Sequence, residues 1–310
     1  MRALAVVSRF LLALTVLSAW AAGAAGEVVA IPGTKVSIGP PSGFVVSSRF
    51  PGVESSELGA SIMVSELPAP PEKVTAGFTA EMLLSRGMTL RSSEETTLAG
   101  QPGRLLAVTQ TAGGVTYEKW MAAFGNATAT VLVVATYPQA VAADLKASLR
   151  AAVLSATWKP EAQLDPFEGL SFRIRESEHL KIQNRVQNML LLATGPGPNA
   201  PAQPFAVVAS SFSPVHIDDL ELFARQRIAQ TAKISDLKDL RGTAVEVAGR
   251  PAYEILAKAK DLASGTSLAV YQLVLVVGDT YYLMQAMVGE SQLSEYLPEF
   301  RAIAFSLETF

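Results

Sequence analysis

The tetrapeptide Ala248-Gly249-Arg250-Pro251 decides the fold, because it repeats an earlier tetrapeptide, Ala99-Gly100-Gln101-Pro102. After each copy the sequence predicts the same elements in the same order: a strand, a tight hairpin that begins with glycine, a helix, and a closing apolar-serine pair. The hairpins begin at Gly125 and Gly278, and the closing pairs are Leu154-Ser155 and Phe305-Ser306. Two tandem domains of one design explain this repeat more simply than one large fold.

The hydrophobic pattern gives each domain several strands and two helices. Strands are predicted at 35–38, 44–50, 60–67, 103–111, 115–124 and 127–137, and again at 170–174, 188–194, 205–212, 252–259, 268–277 and 280–288. Helices are predicted at 72–86 and 140–156, after a cap at Asp218 or Asp219, and at 293–303. We therefore predict an α+β fold, with a first domain at 27–160 and a second at 161–310. Each domain is expected to be an antiparallel sheet with helices packed on one face.

Residues 1–26 have the pattern of a cleaved secretory signal peptide. Arg2 and Arg9 supply positive charge, residues 10–22 are apolar, and small residues place the cleavage near Ala24 or Gly26. An uncleaved membrane anchor is the alternative, because residues 10–26 are nearly long enough to span a bilayer. No later stretch is long and apolar enough to do so. We expect a periplasmic or secreted protein without a transmembrane segment after signal cleavage.

Composition excludes several classes of function. The 310 residues include no cysteine, which rules out disulfides, thiolate catalysis and cysteine-based metal sites. Without residues 1–26 the chain has 23 basic and 28 acidic residues, a formal net charge of −5. A mildly acidic chain without basic runs argues against nucleic acid as a partner. Hydrophobic residues make up 49% of the chain, which is ample material for two cores.

The order of elements resembles the PsbP-like fold, also called Mog/PsbP-like. The residues that carry the resemblance are Gly249-Arg250-Pro251-Ala252-Tyr253, Gly278-Asp279-Thr280-Tyr281-Tyr282, and Leu297-Pro298-Glu299-Phe300 with Phe305-Ser306. The first copy keeps Gly100-Gln101-Pro102 and Gly125 but lacks the tyrosine pair and the helix proline. The resemblance covers nearly the whole chain after residue 26, in two copies. Many secreted bacterial proteins of unassigned function look similar, and the resemblance implies a non-enzymatic module that docks on a protein complex.

Catalytic and metal-binding patterns are weak in this chain. His179 and His216 are its two histidines, and neither has a paired nucleophile motif, so we predict both to be surface residues. Ser235-Asp236-Leu237-Lys238 has the Ser-x-x-Lys form, but the companion motifs of such acyl-transfer enzymes are absent. The acidic pairs Asp218-Asp219 and Glu94-Glu95 suit helix caps and loops better than chelation. We predict no catalytic residue, no metal site and no cofactor.

A group of tyrosines is the one suggestive cluster, and we take it as a possible protein interface: Tyr253, Tyr271, Tyr281 and Tyr282. Tyr281 and Tyr282 are adjacent in a strand, so they must point to opposite faces of the sheet. One should be in the core, and the other should be available to anchor a partner. Ordinary packing is the alternative, since strands are rich in tyrosine.

The leading functional hypothesis is an exported, non-enzymatic binding or accessory module that docks on a cell-envelope protein complex. Two alternatives remain open. The first is a carrier of a small apolar or amphipathic ligand, held between sheet and helices or at the domain junction, which predicts a continuous and largely apolar cavity. The second is an unrecognised hydrolase, which needs His179 or His216 beside an acid in a cleft.

Overall fold

The computed structural model describes residues 27–195 and 202–310, so the predicted signal peptide lies outside the described residues. The first half, called here the first unit, contains ten strands and three helices: β1 (Val29–Ala30), β2 (Val36–Ile38), β3 (Val45–Val46), β4 (Gly52–Ser55), β5 (Ala60–Leu67), α1 (Pro71–Thr75), α2 (Ala80–Leu84), β6 (Met88–Leu98), β7 (Gln101–Ala112), β8 (Val115–Gly125), β9 (Thr130–Pro138), α3 (Ala142–Leu154) and β10 (Thr157–Trp158).

The second unit repeats this order with fewer elements. In the part of it that the structure describes, the elements are β11 (Phe172–Arg173), β12 (Lys181–Val186), β13 (Met189–Ala193), β14 (Phe205–Ser210), α4 (Leu220–Ala229), β15 (Ile234–Val247), β16 (Arg250–Asp261), β17 (Ser267–Val277), β18 (Thr280–Gly289), α5 (Leu293–Phe305) and β19 (Glu308–Thr309).

Each unit is built on a seven-stranded antiparallel sheet, and the two sheets have the same strand order. The first runs β3-β4-β5-β9-β8-β7-β6, and the second runs β12-β13-β14-β18-β17-β16-β15. In both, the last short strand pairs with a short strand near the start of its own unit, β10 with β2 and β19 with β11. The predicted α+β class, with two sheet-dominated halves, is confirmed.

The repeated tetrapeptide forms a two-residue hairpin turn in both units. Ala99 and Gly100 have φ values of 49° and 75°, and Ala248 and Gly249 have φ values of 50° and 74°. The flanking residues pair directly across each turn. Positive φ at both central residues defines a type I′ turn, which matches the right-handed twist of the two strands it joins. The tetrapeptide therefore fixes the hairpins β6–β7 and β15–β16.

The closing serines also have the same role in both units. Ser155 Oγ donates to the carbonyl of Ala152 at 2.7 Å and accepts from the amide of Gly39 at 2.8 Å. Ser306 Oγ donates to the carbonyl of Ile303 at 2.7 Å and accepts from the amide of Arg175 at 2.8 Å. Each hydroxyl thus joins the end of the long helix to the segment that follows β2 in the first unit and β11 in the second.

The helices cover both faces of each sheet, so the prediction that they pack on one face is wrong. Neighbouring residues of a strand point to opposite faces. Tyr271 of β17 packs on Phe300 of α5, whereas the Gln272 side chain donates to the Ala224 carbonyl of α4 at 2.8 Å. In the first unit, Trp120 of β8 lies in the core beneath α3, and the next residue, Met121, packs with α2.

Three local predictions also differ from the structure. The helix expected at 72–86 is two short helices, with Thr79 capping the second through the amide of Met82 at 3.2 Å. The hairpin at Gly125 has four loop residues rather than two, because the Asn126 side chain accepts from the amides of Thr128 and Ala129. The sequence reading also missed strands β6, β12 and β15. The two-residue loop at Gly278-Asp279 is confirmed.

Candidate functional site

The four predicted interface tyrosines do not form one surface. Tyr271 and Tyr282 lie in the core on the α5 face of the second sheet, whereas Tyr253 and Tyr281 lie on the α4 face. Tyr253, Tyr271 and Tyr282 are 6%, 1% and 4% exposed, so they offer a partner almost no surface. The interface prediction therefore survives for Tyr281 alone, and there it stays a prediction.

Tyr281 is half-buried between two side chains of α4. Its ring meets the ring of Phe223 edge-on, with centroids 5.0 Å apart, and the guanidinium carbon of Arg227 lies 5.6 Å from the centroid. Aromatic and arginine side chains of this kind are enriched among residues that anchor protein interfaces. Here both neighbours belong to the same unit, so the observed role of Tyr281 is to hold α4 on the sheet.

The two histidines lie on the surface, and His179 is half-exposed beside an acid, Glu299 of α5. Glu299 accepts three hydrogen bonds: from His179 Nδ1 at 2.5 Å, from the His179 amide at 3.0 Å and from Ser177 Oγ at 2.6 Å. The hydroxyl bonds to the carboxylate and not to the imidazole, so the geometry is a clamp rather than a nucleophile with its base. His216 lies 2.9 Å from Asp218, and both are largely exposed.

This clamp alters the protonation of its two members. The hydrogen bond to Glu299 raises the pKa of His179, because it favours the charged imidazolium. Partial burial would raise the pKa of Glu299, but the hydrogen bonds from Ser177 and His179 outweigh it and lower that pKa. Within residues 27–195 and 202–310, no group of three acidic or histidine side chains could hold a metal ion.

A cleft between the two units has a volume of about 890 Å³. One wall is the end of β5 at residues 64–68, and the other is β12 with Ile174 and Glu176. The turn at residues 33–35, Ala129 and the connecting segment at 162–167 also line it. We refer to this space as the inter-unit cleft.

Two strand edges without a partner strand border the inter-unit cleft. Strand β4 pairs with β5 only as far as Met63, and the amide of Val64 bonds to the carbonyl of Pro51 at 2.8 Å. Beyond this point, residues 65–67 are paired on their β9 side alone in the described structure. On the opposite wall, β12 is the last strand of its sheet. Gln187 Nε2 donates across the cleft to Ser65 Oγ at 2.6 Å.

The three carboxylates that line the cleft are all engaged by N–H donors of the protein. Glu66 accepts from the amide of Lys35 and from the indole of Trp158, both at 2.8 Å. Glu176 accepts from the amide of Ile182 at 2.7 Å. Asp165 accepts from the amide of Phe167 at 2.9 Å and lies 3.5 Å from a nitrogen of Arg173.

The two cations that line the cleft, Arg185 and Lys35, are engaged only by backbone carbonyls. Arg185 Nε donates to Gln187 O at 2.7 Å, and Nη1 donates to Pro166 O at 3.1 Å and to Glu168 O. Its Nη2 is buried and has no acceptor among the described residues. Lys35 Nζ donates to the carbonyl of Pro160. Burial lowers the pKa of Arg185, although Glu168 and Asp165 act in the opposite direction.

No local pattern in the sequence pointed to this cleft. The residues that define it come from five separate parts of the chain, at positions 33–35, 64–68, 129, 162–167 and 174–187. The one available signal was the short junction between the predicted domains, which implied that the domains touch. None of the described helices has both the length and the apolar character needed to cross a bilayer.

Comparison with known proteins bears on the fold alone. No protein-family profile matches the chain, and no curated protein matches its sequence. Among solved structures, cyanobacterial PsbP (CyanoP) from Synechocystis is 13% identical, and the match covers 45% of this chain and 96% of that one with a TM-score of 0.33. The two units share one strand order, which agrees with the predicted repeat of one design. A TM-score of 0.33 does not decide between fold families, so the PsbP-like fold stays a prediction.

Two further solved structures are similar at the same low level. LpqN, involved in cell envelope biogenesis of Mycobacterium tuberculosis, is 10% identical, and the match covers 44% of this chain and 81% of that one with a TM-score of 0.32. Immunity protein TplEi of T6SS from Pseudomonas aeruginosa is 11% identical, with coverage of 91% and 96% and a TM-score of 0.34. At these scores, nothing about binding or activity follows.

Proposed function

We propose that this protein is an exported, non-enzymatic binding module that docks on a cell-envelope protein complex through its inter-unit cleft. The observation that carries the proposal is the pair of unpartnered strand edges on opposite walls of that cleft, residues 65–67 of β5 and strand β12. An extended segment of a partner protein can add to such an edge through main-chain hydrogen bonds.

The lining of the cleft agrees with an extended polypeptide. A strand that added to either edge would lie about 4.8 Å from that edge, within the space that these residues line. The walls combine apolar residues, such as Leu67 and Ile182, with polar ones, such as Gln183 and Asn184. Alternate side chains of a bound strand point in opposite directions and would meet both kinds of surface.

Export and the absence of catalysis are part of the proposal and rest on separate observations. The pattern of residues 1–26 supports secretion, with cleavage near Ala24 or Gly26. The acid beside His179 is Glu299, and the hydroxyl nearest to this pair, Ser177 Oγ, donates to the carboxylate and not to the imidazole. The arrangement supports a structural clamp rather than a nucleophile with its base.

Site-specific photocrosslinking tests the proposal in the envelope of the source organism. A photoreactive amino acid replaces Gln163, which lines the cleft, and in the control it replaces Leu262, which is 67% exposed and does not line the cleft. We expect an adduct from position 163 that maps by peptide mass spectrometry to one short segment of one envelope protein. The substitution Gln183→Trp, which fills the cleft, should abolish that adduct, and Leu262→Trp should not.

Two results would overturn the docking proposal. The first is the same set of adducts from both positions, because specific docking at the cleft requires them to differ. The second is an adduct that persists unchanged in Gln183→Trp. Hydrolase turnover by the pure protein would overturn the non-enzymatic part.

A second candidate function, transport of a small amphipathic ligand, is favoured by the cavity volume, because pockets for such ligands measure about 300–1,000 Å³. The largely apolar cavity that the carrier hypothesis predicted is not what the cleft provides, since five charged side chains line it: Lys35, Glu66, Asp165, Glu176 and Arg185. Native mass spectrometry of the exported form decides this point. A stoichiometric small molecule would support the carrier, and a bound peptide or an empty cleft would exclude it.

A further inference from the structure

We infer that the partner segment pairs with the main chain of Glu66, on the β5 wall of the inter-unit cleft, and not with the edge of β12. This inference rests on the proposed function, because it assigns one of the two walls as the wall that hydrogen-bonds to the partner. The occupant is an extended segment of the envelope partner, and its residue opposite Glu66 is not proline. The β12 wall contacts that segment through side chains.

The N–H and C=O groups of Glu66 point toward the cleft. In an antiparallel sheet, alternate residues of a strand direct both main-chain groups to the same side. The amide of Val64 bonds to the carbonyl of Pro51, which precedes β4, so Val64 faces the β4 side. Glu66, two residues later, faces the same side. Strand β4 does not extend that far, because its pairing with β5 ends at Met63.

Glu66 is also held in place and within reach of a ligand. Its side chain accepts from the amide of Lys35 and from the indole of Trp158, both at 2.8 Å. The residue is half-buried, and it lines the cleft. In an antiparallel arrangement, one partner residue exchanges both main-chain hydrogen bonds with Glu66. Pro68, the next residue that faces this side, has no N–H group, so the pairing is short.

The N–H groups on the outer side of β12 are already occupied by side chains of the same chain. The amide of Ile182 donates to Glu176 Oε1 at 2.7 Å, and the amide of Arg185 donates to Asn184 Oδ1 at 2.8 Å. Both amides thus bond to side-chain oxygens instead of to β13. Glu176 and Asn184 take the place that the carbonyls of an added strand would have.

This difference between the walls favours pairing with β5. A segment that added to β12 would displace the Glu176 carboxylate from the Ile182 amide. It would replace a hydrogen bond to a charged acceptor with one to a neutral carbonyl, which is weaker. At Glu66, the partner displaces no side chain of the protein from the amide. The β5 edge therefore gains a hydrogen bond where the β12 edge exchanges one.

Amide hydrogen exchange of the full exported chain, followed by nuclear magnetic resonance, tests the state of the two edges. We expect the Glu66 amide to exchange at least about tenfold faster than the Ile182 amide, relative to their intrinsic rates, because only the latter is hydrogen-bonded. Glu176→Ala should remove the protection of Ile182 and leave Glu66 unchanged. Glu178→Ala, which removes an exposed acid of the same loop, is the matched control and should change neither.

Proline substitutions identify the wall that receives the segment, with the photoreactive amino acid at position 163 as the readout. Proline lacks the N–H group and is tolerated at a strand edge where that group makes no bond within the sheet. Glu66→Pro should abolish the envelope adduct. Glu66→Ala removes the same side chain but keeps the amide, so it should retain the adduct. Ile182→Pro and Ile182→Ala should both retain it.

A second measurement decides the matter if Glu66→Pro does not fold. Amide exchange is then compared between the free parent chain and its purified adduct. We expect the Glu66 amide to exchange at least about tenfold more slowly in the adduct, because it has gained an acceptor. An unchanged Glu66 amide in the adduct would overturn the inference.

Three further results would also overturn it. The first is a Glu66 amide in the free chain that is as protected as that of Ile182. The second is an adduct that Ile182→Pro abolishes. The third is an adduct that survives in Glu66→Pro; pairing with β5 would then be wrong, but the docking proposal would stand. Equal adducts from positions 163 and 262 of the parent chain would overturn the docking proposal and the inference together.

Discussion

The two units share one topology but differ in what they bury beneath the long helix. In the second unit, Glu254 is buried, forms a two-point ion pair with Arg301 of α5, and lies on the same sheet face as Tyr271. The register of the sheets places Leu105 of the first unit at the position of Glu254. Arg150 of α3 there lies over the ring of Trp120, 5.6 Å from its centroid.

This difference teaches which features the fold requires. Both units retain the type I′ hairpin, the serine at the end of the long helix and the pairing of the last short strand with β2 or β11. The chemistry of the buried layer changes from an aliphatic residue to an ion pair without any change in strand order. Turns and element ends therefore specify the architecture, and the core side chains need only fill the space.

The largest difference between the units is expected when a large-to-small substitution creates a cavity in the hydrophobic core of one unit at a time. Phe300→Ala should destabilise the second unit by about 3–5 kcal/mol, and Leu149→Ala should destabilise the first by about 2–5 kcal/mol, because both side chains are fully buried. Tryptophan fluorescence follows the first unit, since Trp120 and Trp158 both belong to it. Urea unfolding should show Leu149→Ala shifting the fluorescence transition and Phe300→Ala leaving it in place.

The same experiment tests the boundaries that we propose for the domains, 27–160 and 161–310. Near-UV circular dichroism, to which the tyrosines of the second unit contribute, should show a transition that moves with Phe300→Ala. The two halves do not fold as separate domains if fluorescence and circular dichroism report one cooperative transition, and if each of the two variants shifts its urea midpoint equally in both signals.

A smaller effect is expected at the repeated hairpin, where both units place alanine in a left-handed conformation. Left-handed backbone costs alanine about 1 kcal/mol, whereas asparagine adopts it more readily. Ala99→Asn and Ala248→Asn should each raise the free energy of unfolding, by about 0.5–1 kcal/mol. Urea midpoints of the two variants are the measurement. If one substitution raises the urea midpoint and the other lowers it, the two turns are not equivalent.

The smallest effect is expected in the pH dependence of stability, where the two units should differ. The clamp of His179 and Glu299 exists in the second unit only, since both histidines belong to that unit. The folded pKa of His179 is raised, so its stabilisation is complete below the unfolded value of about 6.5 and is lost as pH rises through the folded pKa. The melting temperature of the second unit should fall between about pH 6 and pH 8, and His179→Gln should flatten that dependence.

His216→Gln is the matched control for this titration, because the His216 side chain is 89% exposed and pairs only with an equally exposed Asp218. Its pH profile should follow that of the parent chain. A parent profile that His179→Gln leaves unchanged would remove the clamp as the cause.

Repetition made the architecture predictable, since Gly278-Asp279 and the buried strand runs appear in the expected order. The edge strands β6 and β15 were missed because they are exposed and rich in polar residues, so they show little apolar alternation. The second layer of helices was missed although the sequence of residues 131–134, Val-Leu-Val-Val, is an apolar run typical of a strand that is buried on both faces. The apolar stripe of a helix shows that the helix packs against a sheet, but it does not show which face of the sheet the helix covers.

The inter-unit cleft could not be predicted from the sequence, for a different reason. Two residues of its lining, Lys35 and Arg185, lie 150 positions apart in the chain and come to line one cleft only in the folded protein. Each is an ordinary residue in its local context, next to a turn or within an edge strand. The tyrosine cluster, by contrast, was visible in the sequence, but residue type alone did not separate core from surface.

The antiparallel pairing of β10 with β2, and of β19 with β11, brings the start and finish of each unit side by side. A domain whose N- and C-terminal ends are neighbours can be duplicated within a gene. A short linker then joins the two copies, and no strand has to be exchanged between them. The same geometry would accommodate a circularly permuted version of either module, reopened at the Gly278-Asp279 loop or at its counterpart near Asn126.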